Sequence, residues 1–148
     1  MAREQRRSPR LEVSLPVRII IRDRAGAQTI AEGVGRISDI SRHGLRLVVP
    51  QSKIEQWHIF YNFQENEQQM LLLEVLARQD DEQAPDFELP VKPVWFDRLL
   101  SLPDKPFQLG MEFLAPPPPA ALAWLNEKFN SLRQRHKVSW WSNLFGGR

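Results

Sequence analysis

The stretch Asp39-Ile40-Ser41-Arg42-His43-Gly44 interrupts two apolar runs, Ile30 to Ile37 before it and Leu45 to Val49 after it. A short polar break between runs of that length reads as the link between two β-strands. Successive side chains of an extended chain alternate faces, so Asp39 and Ser41 share one side. Gly44 gives the backbone freedom to turn into the next strand. Asp, Ser and Gly are also ordinary turn residues, so the stretch alone fits a plain hairpin connection as well as a binding loop.

Working outward, the flanks repeat the strand signal. Val13, Leu15, Val17, Ile19 and Ile21 alternate with Ser14, Pro16, Arg18, Ile20 and Arg22, a period of two. Pro16 marks an edge or irregularity at the start of that strand. Arg24 to Ala27 make a turn, and the next strand runs from Gln28 to Ser38, with Gly33 and Gly35 where a small barrel bends. Leu45 to Val49 ends at Pro50. Trp57 to Phe63, Met70 to Ala77, Phe87 to Phe96 and Phe107 to Leu114 are expected as further strands, with Asp80 to Asp86 as an acidic loop. Leu and Met also favour helix, so Met70 to Ala77 is the weakest of these by propensity. Many short strands between turn signals predict a mainly β chain, an antiparallel barrel of about six or seven strands.

Pro116 to Pro119 stiffen the exit from that barrel. Leu122, Leu125, Phe129 and Leu132 then recur at spacings of three and four, which predicts a C-terminal helix docked by one apolar stripe. The expected organisation is an N-terminal arm over 1–11, a barrel over 12–115, and a hinge, helix and aromatic tail over 116–148. The tail concentrates Val138, Trp140, Trp141, Leu144 and Phe145 beside Arg133, Arg135 and Lys137. Such a tail either packs back on the barrel or is offered to a partner or an anionic membrane surface.

Composition narrows the chemistry. The 148 residues suffice for one domain with a core, and the formal charge is only +2. Without cysteine there is no disulfide and no thiolate metal site, which suits a reducing cytoplasm. No apolar run approaches the roughly 20 residues that span a bilayer, and the N-terminus lacks the apolar segment of a secretory signal. His43, His58 and His136 are scattered, without metal-ligand spacing. There is no phosphate-binding glycine loop with lysine and no nucleophile elbow, so no enzyme is expected. The positive charge is gathered at Arg3, Arg6, Arg7, Arg10, Arg18, Arg22 and Arg24, a distribution that attracts anions.

Arg6 and Arg10 form RxxxR, and Asp39, Ser41 and Gly44 form DxSxxG, in that order and with one strand between them. The pair resembles the signature of the PilZ domain, a small bacterial barrel that binds cyclic di-GMP. The likeness extends to Leu114 and, more loosely, over the helix. It implies a cytoplasmic second-messenger receptor that changes conformation on binding and signals to a downstream protein. It also implies a ligand site of Arg6, Arg7, Arg10, Asp39, Ser41 and Gly44, with Trp95 as an aromatic that packs on a guanine. No metal or cofactor is implied beyond the ligand. Gln5, where a basic residue favours two intercalated ligands, favours one. The residue types suit the chemistry. An arginine fork matches two phosphate oxygens or the O6 and N7 of guanine, and a carboxylate accepts from the N1–H and N2–H edge. Arg6 and Arg10 in an extended arm would lie up to about 14 Å apart, one for each side of a folded dinucleotide. Trp95 as a plain core residue is an equal alternative on sequence grounds. Two other functional readings stand behind the receptor: a protein–protein adaptor independent of nucleotide, and a nucleic-acid-binding barrel, for which no aromatic-rich face is evident.

Overall fold

The computed structural model describes residues 14–75 and 88–141, with the side chains of 135–141 left aside. Six strands close into an antiparallel barrel: β1 (Leu15–Asp23), β2 (Thr29–Ile40), β3 (Gly44–Val49), β6 (Gln69–Val75), β7 (Glu88–Arg98) and β8 (Phe107–Phe113). Their order around the wall is β1-β2-β3-β8-β7-β6, and β6 returns to pair with β1. Closure removes the unpaired edges that an open sheet would leave. The period of two in β1 does what the sequence predicts: Val17, Ile19 and Ile21 are fully buried, and Leu47, Leu73 and Leu109 meet them inside. Pro16 pairs with Arg36, but the β1–β6 ladder starts only at Val17, so its missing N–H breaks no described ladder bond. Met70 to Ala77 is strand rather than helix as far as Val75; residues 76–87, with the expected acidic loop, lie outside the described residues.

The expected strand over Trp57 to Phe63 is a correction. Only β5 (Trp57–His58) is extended, paired with β4 (Lys53–Ile54), and the chain then coils into a 3-10 turn at Tyr61–Phe63. Side chains take over the backbone donors that a ladder would have used. His58 Nδ1 accepts from the N–H groups of Phe60 and Tyr61, both at 3.1 Å, and Asn62 Oδ1 accepts from His58 N–H at 2.6 Å. Ile54, Ile59 and Phe63 are buried in the barrel's own apolar cluster. Gly33 of β2 leaves the space that Ile54 fills.

The helix α1 (Pro119–Trp141) starts where the proline run predicts and continues past Lys137 into the segment expected as tail. Its buried stripe is Ala121, Leu125 and Phe129, with Leu132 half-buried beside them. Leu122, expected in that stripe, lies at its margin, because the i, i+4 row through Leu125 selects Ala121 instead. The tail beyond Trp141 lies outside the described residues.

The basic load read in the sequence is partly spent within the wall. Arg22 makes a bidentate pair with Glu88 at 3.0 and 2.9 Å, and that bond raises its guanidinium further above the ordinary value. Arg18 lies 3.6 Å from Glu32 and 3.1 Å from Glu74.

Candidate functional site: a groove across four strands

Two β-bulges decide which side chains reach the outer face near the motif. In β2, Ile37 pairs with Leu47 and Asp39 pairs with Arg46, so Ser38 is the extra residue. Regular alternation from Ile37 would turn Asp39 into the core. The bulge absorbs one residue and sets the carboxylate outside. In β7, Pro93 pairs with Met111 and Trp95 pairs with Gly110, so Val94 is extra and Trp95 is turned out in the same way. Arg46 in turn pairs with Gly110. Asp39, Arg46, Gly110 and Trp95 therefore form one in-register row across β2, β3, β8 and β7.

That row floors an open groove of about 300 Å³, lined also by Ser41, His43, Gly44, Val94 and Glu112. Trp95 is 40% exposed and Val94 47%. A Cβ at Gly110 would collide with the indole, so the ring lies directly over the glycine. Trp95 is thus a groove residue and not a core one.

The turn between β2 and β3 is tied by its own hydroxyl. Ser41 N–H donates to the Gly44 carbonyl at 2.8 Å, and His43 N–H donates to Ser41 Oγ at 3.3 Å. Gly44 is needed for space rather than for an unusual backbone angle. A Cβ there would collide with the Met111 carbonyl of β8, and its φ is not in the left-handed region. The freedom expected of it from the sequence is therefore corrected to close approach between strands. Asp39 Oδ1 accepts from Ile40 N–H at 2.9 Å and lies 4.0 Å from Arg133 Nη2 of α1. Arg133 also sits over the Phe129 ring, 5.6 Å from its centroid.

Of the expected site residues, the fold brings Asp39, Ser41, Gly44 and Trp95 together. Arg6, Arg7 and Arg10 lie outside the described residues. The chain joins the barrel beside the motif strand: Arg36 Nε donates to Ser14 Oγ at 2.6 Å, and Leu15 pairs with Ile37. Sequence reading missed Arg46, Glu112 and Arg133. The alternation Leu45-Arg46-Leu47 carried a signal for the first, since it sets Arg46 opposite two core residues. Among the described residues no three His, Asp or Glu side chains converge as metal ligands would, and no helix is long and apolar enough to cross a membrane.

A closed six-stranded antiparallel barrel with a C-terminal helix and a polar, aromatic groove across β2, β3, β8 and β7 defines a PilZ-type barrel. The PilZ domain family model matches residues 4–127, and the chain belongs to that family. Among solved structures, the PlzA protein of Borreliella burgdorferi, crystallised in complex with c-di-GMP, is similar with a TM-score of 0.48 at 18% identity. The match covers 86% of this chain and 48% of that one, so this chain spans about half of its length. No curated protein matches the chain in sequence.

Proposed function

We propose that this chain is a bacterial cyclic di-GMP receptor, a cytoplasmic binding module that makes and breaks no covalent bond. The observation that carries the reading is the in-register row Asp39–Arg46–Gly110–Trp95 beside the Ser41 turn. It gathers the groups that a guanine dinucleotide calls for. Trp95 offers a face for a base, an interaction worth roughly 1–3 kcal/mol. The Asp39 carboxylate keeps lone pairs beyond its bond to Ile40 and takes a guanine edge. Arg46 takes a phosphate or the O6 and N7 of a base. Ser41 adds a hydroxyl contact, and Gly44 holds the two strands close enough for the groove to exist. Arg6, Arg7 and Arg10 close over the ligand from the arm and neutralise its phosphates. Folding the arm onto the groove changes the surface shown to a downstream protein, which is how binding becomes a signal.

Calorimetric titration with cyclic di-GMP tests this, with GTP and single-stranded DNA as controls. Saturable binding of the cyclic dinucleotide alone is expected, at one ligand per chain as Gln5 favours. Binding of DNA instead would replace the reading by a nucleic-acid barrel, and heat from none of the three would leave the nucleotide-independent adaptor.

A further inference from the structure

The groove holds a second carboxylate. Glu112 pairs in register with Gly44 on one side and Lys92 on the other, one outward position along β8 from Gly110. It is exposed, lines the same groove as Asp39 and Trp95, and has no hydrogen-bond or ion-pair partner among the described residues. Glu32, Glu74 and Glu88, by contrast, all lie against Arg18 or Arg22.

An unmatched carboxylate is out of place in a groove for a dianion. At close range it repels phosphate. It is in place if it faces the part of the ligand that only donates. The Watson–Crick edge of guanine, with N1–H and N2–H side by side, is such a part, and a carboxylate accepts both. A cyclic di-GMP molecule carries two such edges, and the groove carries two carboxylates. Two strand spacings and one two-residue step separate Asp39 from Glu112, roughly 12 Å between Cα atoms. That span suits one base on each side of a folded dinucleotide.

We infer that Glu112 is a second base-reading carboxylate, taking the N1–H and N2–H edge of one guanine while Asp39 takes the other. The inference rests on the receptor reading above and adds a specificity residue to it. Lys92 stands across the strand pair from it. Trp95 stacks one base, and Glu112 fixes which base that groove accepts.

The test turns on a sign. In the full chain, Glu112→Gln removes a negative charge beside a dianionic ligand, so electrostatics alone would tighten binding. Base reading predicts the opposite, a loss on the order of tenfold for cyclic di-GMP. Cyclic di-IMP, whose bases keep N1–H but lack the 2-amino group, is the comparison ligand. The parent protein should prefer the guanine form, and the preference should shrink in Glu112→Gln. Unchanged or tighter cyclic di-GMP binding overturns the inference. So does weaker binding with the guanine preference intact, since the carboxylate would then act on something other than the base. If the parent binds no cyclic di-GMP at all, the receptor reading falls first, and this one with it. Thermal melting of the variant confirms that an exposed substitution has left the fold in place.

Discussion

Two glycines that face the same groove fail differently when given a side chain. At Gly44 the obstacle is the Met111 carbonyl, a backbone group locked in the β3–β8 ladder. Gly44→Ala must push two strands apart, so a loss of about 1–3 kcal/mol in unfolding free energy is expected, read by denaturant titration. At Gly110 the obstacle is the Trp95 indole, which is partly exposed and free to swing away. Gly110→Ala should therefore leave the denaturant midpoint almost unchanged while costing most of the stacking term. Cyclic di-GMP affinity should fall about five- to a hundredfold. Pairing the substitution with Trp95→Ala should add little further loss, because both remove the same contact. An additive double variant would show that the indole does not meet the ligand. Asp39→Ala belongs beside these: it should weaken binding and narrow the preference for guanine over adenine dinucleotides. At this scale the sequence spoke clearly for Asp39, Ser41 and Gly44, which sit in a recognisable pattern. It left Trp95 open between ligand aromatic and core residue, because alternation counted along β7 from Leu89 and Val91 points the tryptophan inward. Only the extra residue Val94 turns it out, and a bulge of that kind leaves no mark in composition or spacing.

The elements that close the barrel carry the stability arguments. In the β4–β5 insertion His58 acts as an acceptor: its Nδ1 takes two backbone N–H groups, so the ring must be neutral there. Burial, and then the charge of Lys53, push its pKa below the ordinary value of 6.5. Protons are thus bound more readily by the unfolded chain. The contribution of His58 is complete above about pH 6.5 and is lost as pH falls through the lower folded value. His58→Asn, whose Oδ1 can replace Nδ1, should flatten the fall in melting temperature between pH 7 and 5 relative to the parent. An equal slope in both would remove His58 from the account. The helix behaves as an ordinary apolar plug. Phe129→Ala empties a fully buried site and should cost about 3–5 kcal/mol, whereas Arg133→Ala, half exposed and 4.0 Å from Asp39, should cost about 1 kcal/mol or less. Helix and barrel strands were legible because their periods of 3.6 and 2 are long and clean. Trp57 to Phe63 was not, since aromatic and β-branched residues there bury a coiled insertion as readily as a strand. What decides it is the imidazole of His58 competing for backbone donors.

Among the described residues, the arginines of the barrel differ in whether carboxylates already hold them. Arg18 and Arg22 are paired with Glu32, Glu74 and Glu88 on the β2–β1–β6–β7 wall. Arg46 lines the groove, and Arg133 lies 4.0 Å from Asp39 at its edge. On the receptor reading, a doubly charged ligand in the groove would connect the arm to the barrel. The arm's sequence offers little apolar surface of its own, so on that reading its seating on the barrel would depend on the bridge. Trypsin reads this directly, because each arm arginine is a cleavage site. Saturating cyclic di-GMP should slow cleavage after Arg6, Arg7 and Arg10 severalfold or more, while Arg24, in the β1–β2 turn away from the groove, should be cut at an unchanged rate. Arg10→Ala should lose at least about tenfold in affinity, as expected for a charge-assisted contact, with the melting temperature of the free protein unaltered. It should also weaken the protection of the remaining arm sites at a ligand concentration just sufficient to saturate the parent. Protection of the arm without ligand, equal to that with it, would mean that the arm is already seated. On the receptor reading, any signal to a partner would then have to come from the groove itself rather than from the arm closing.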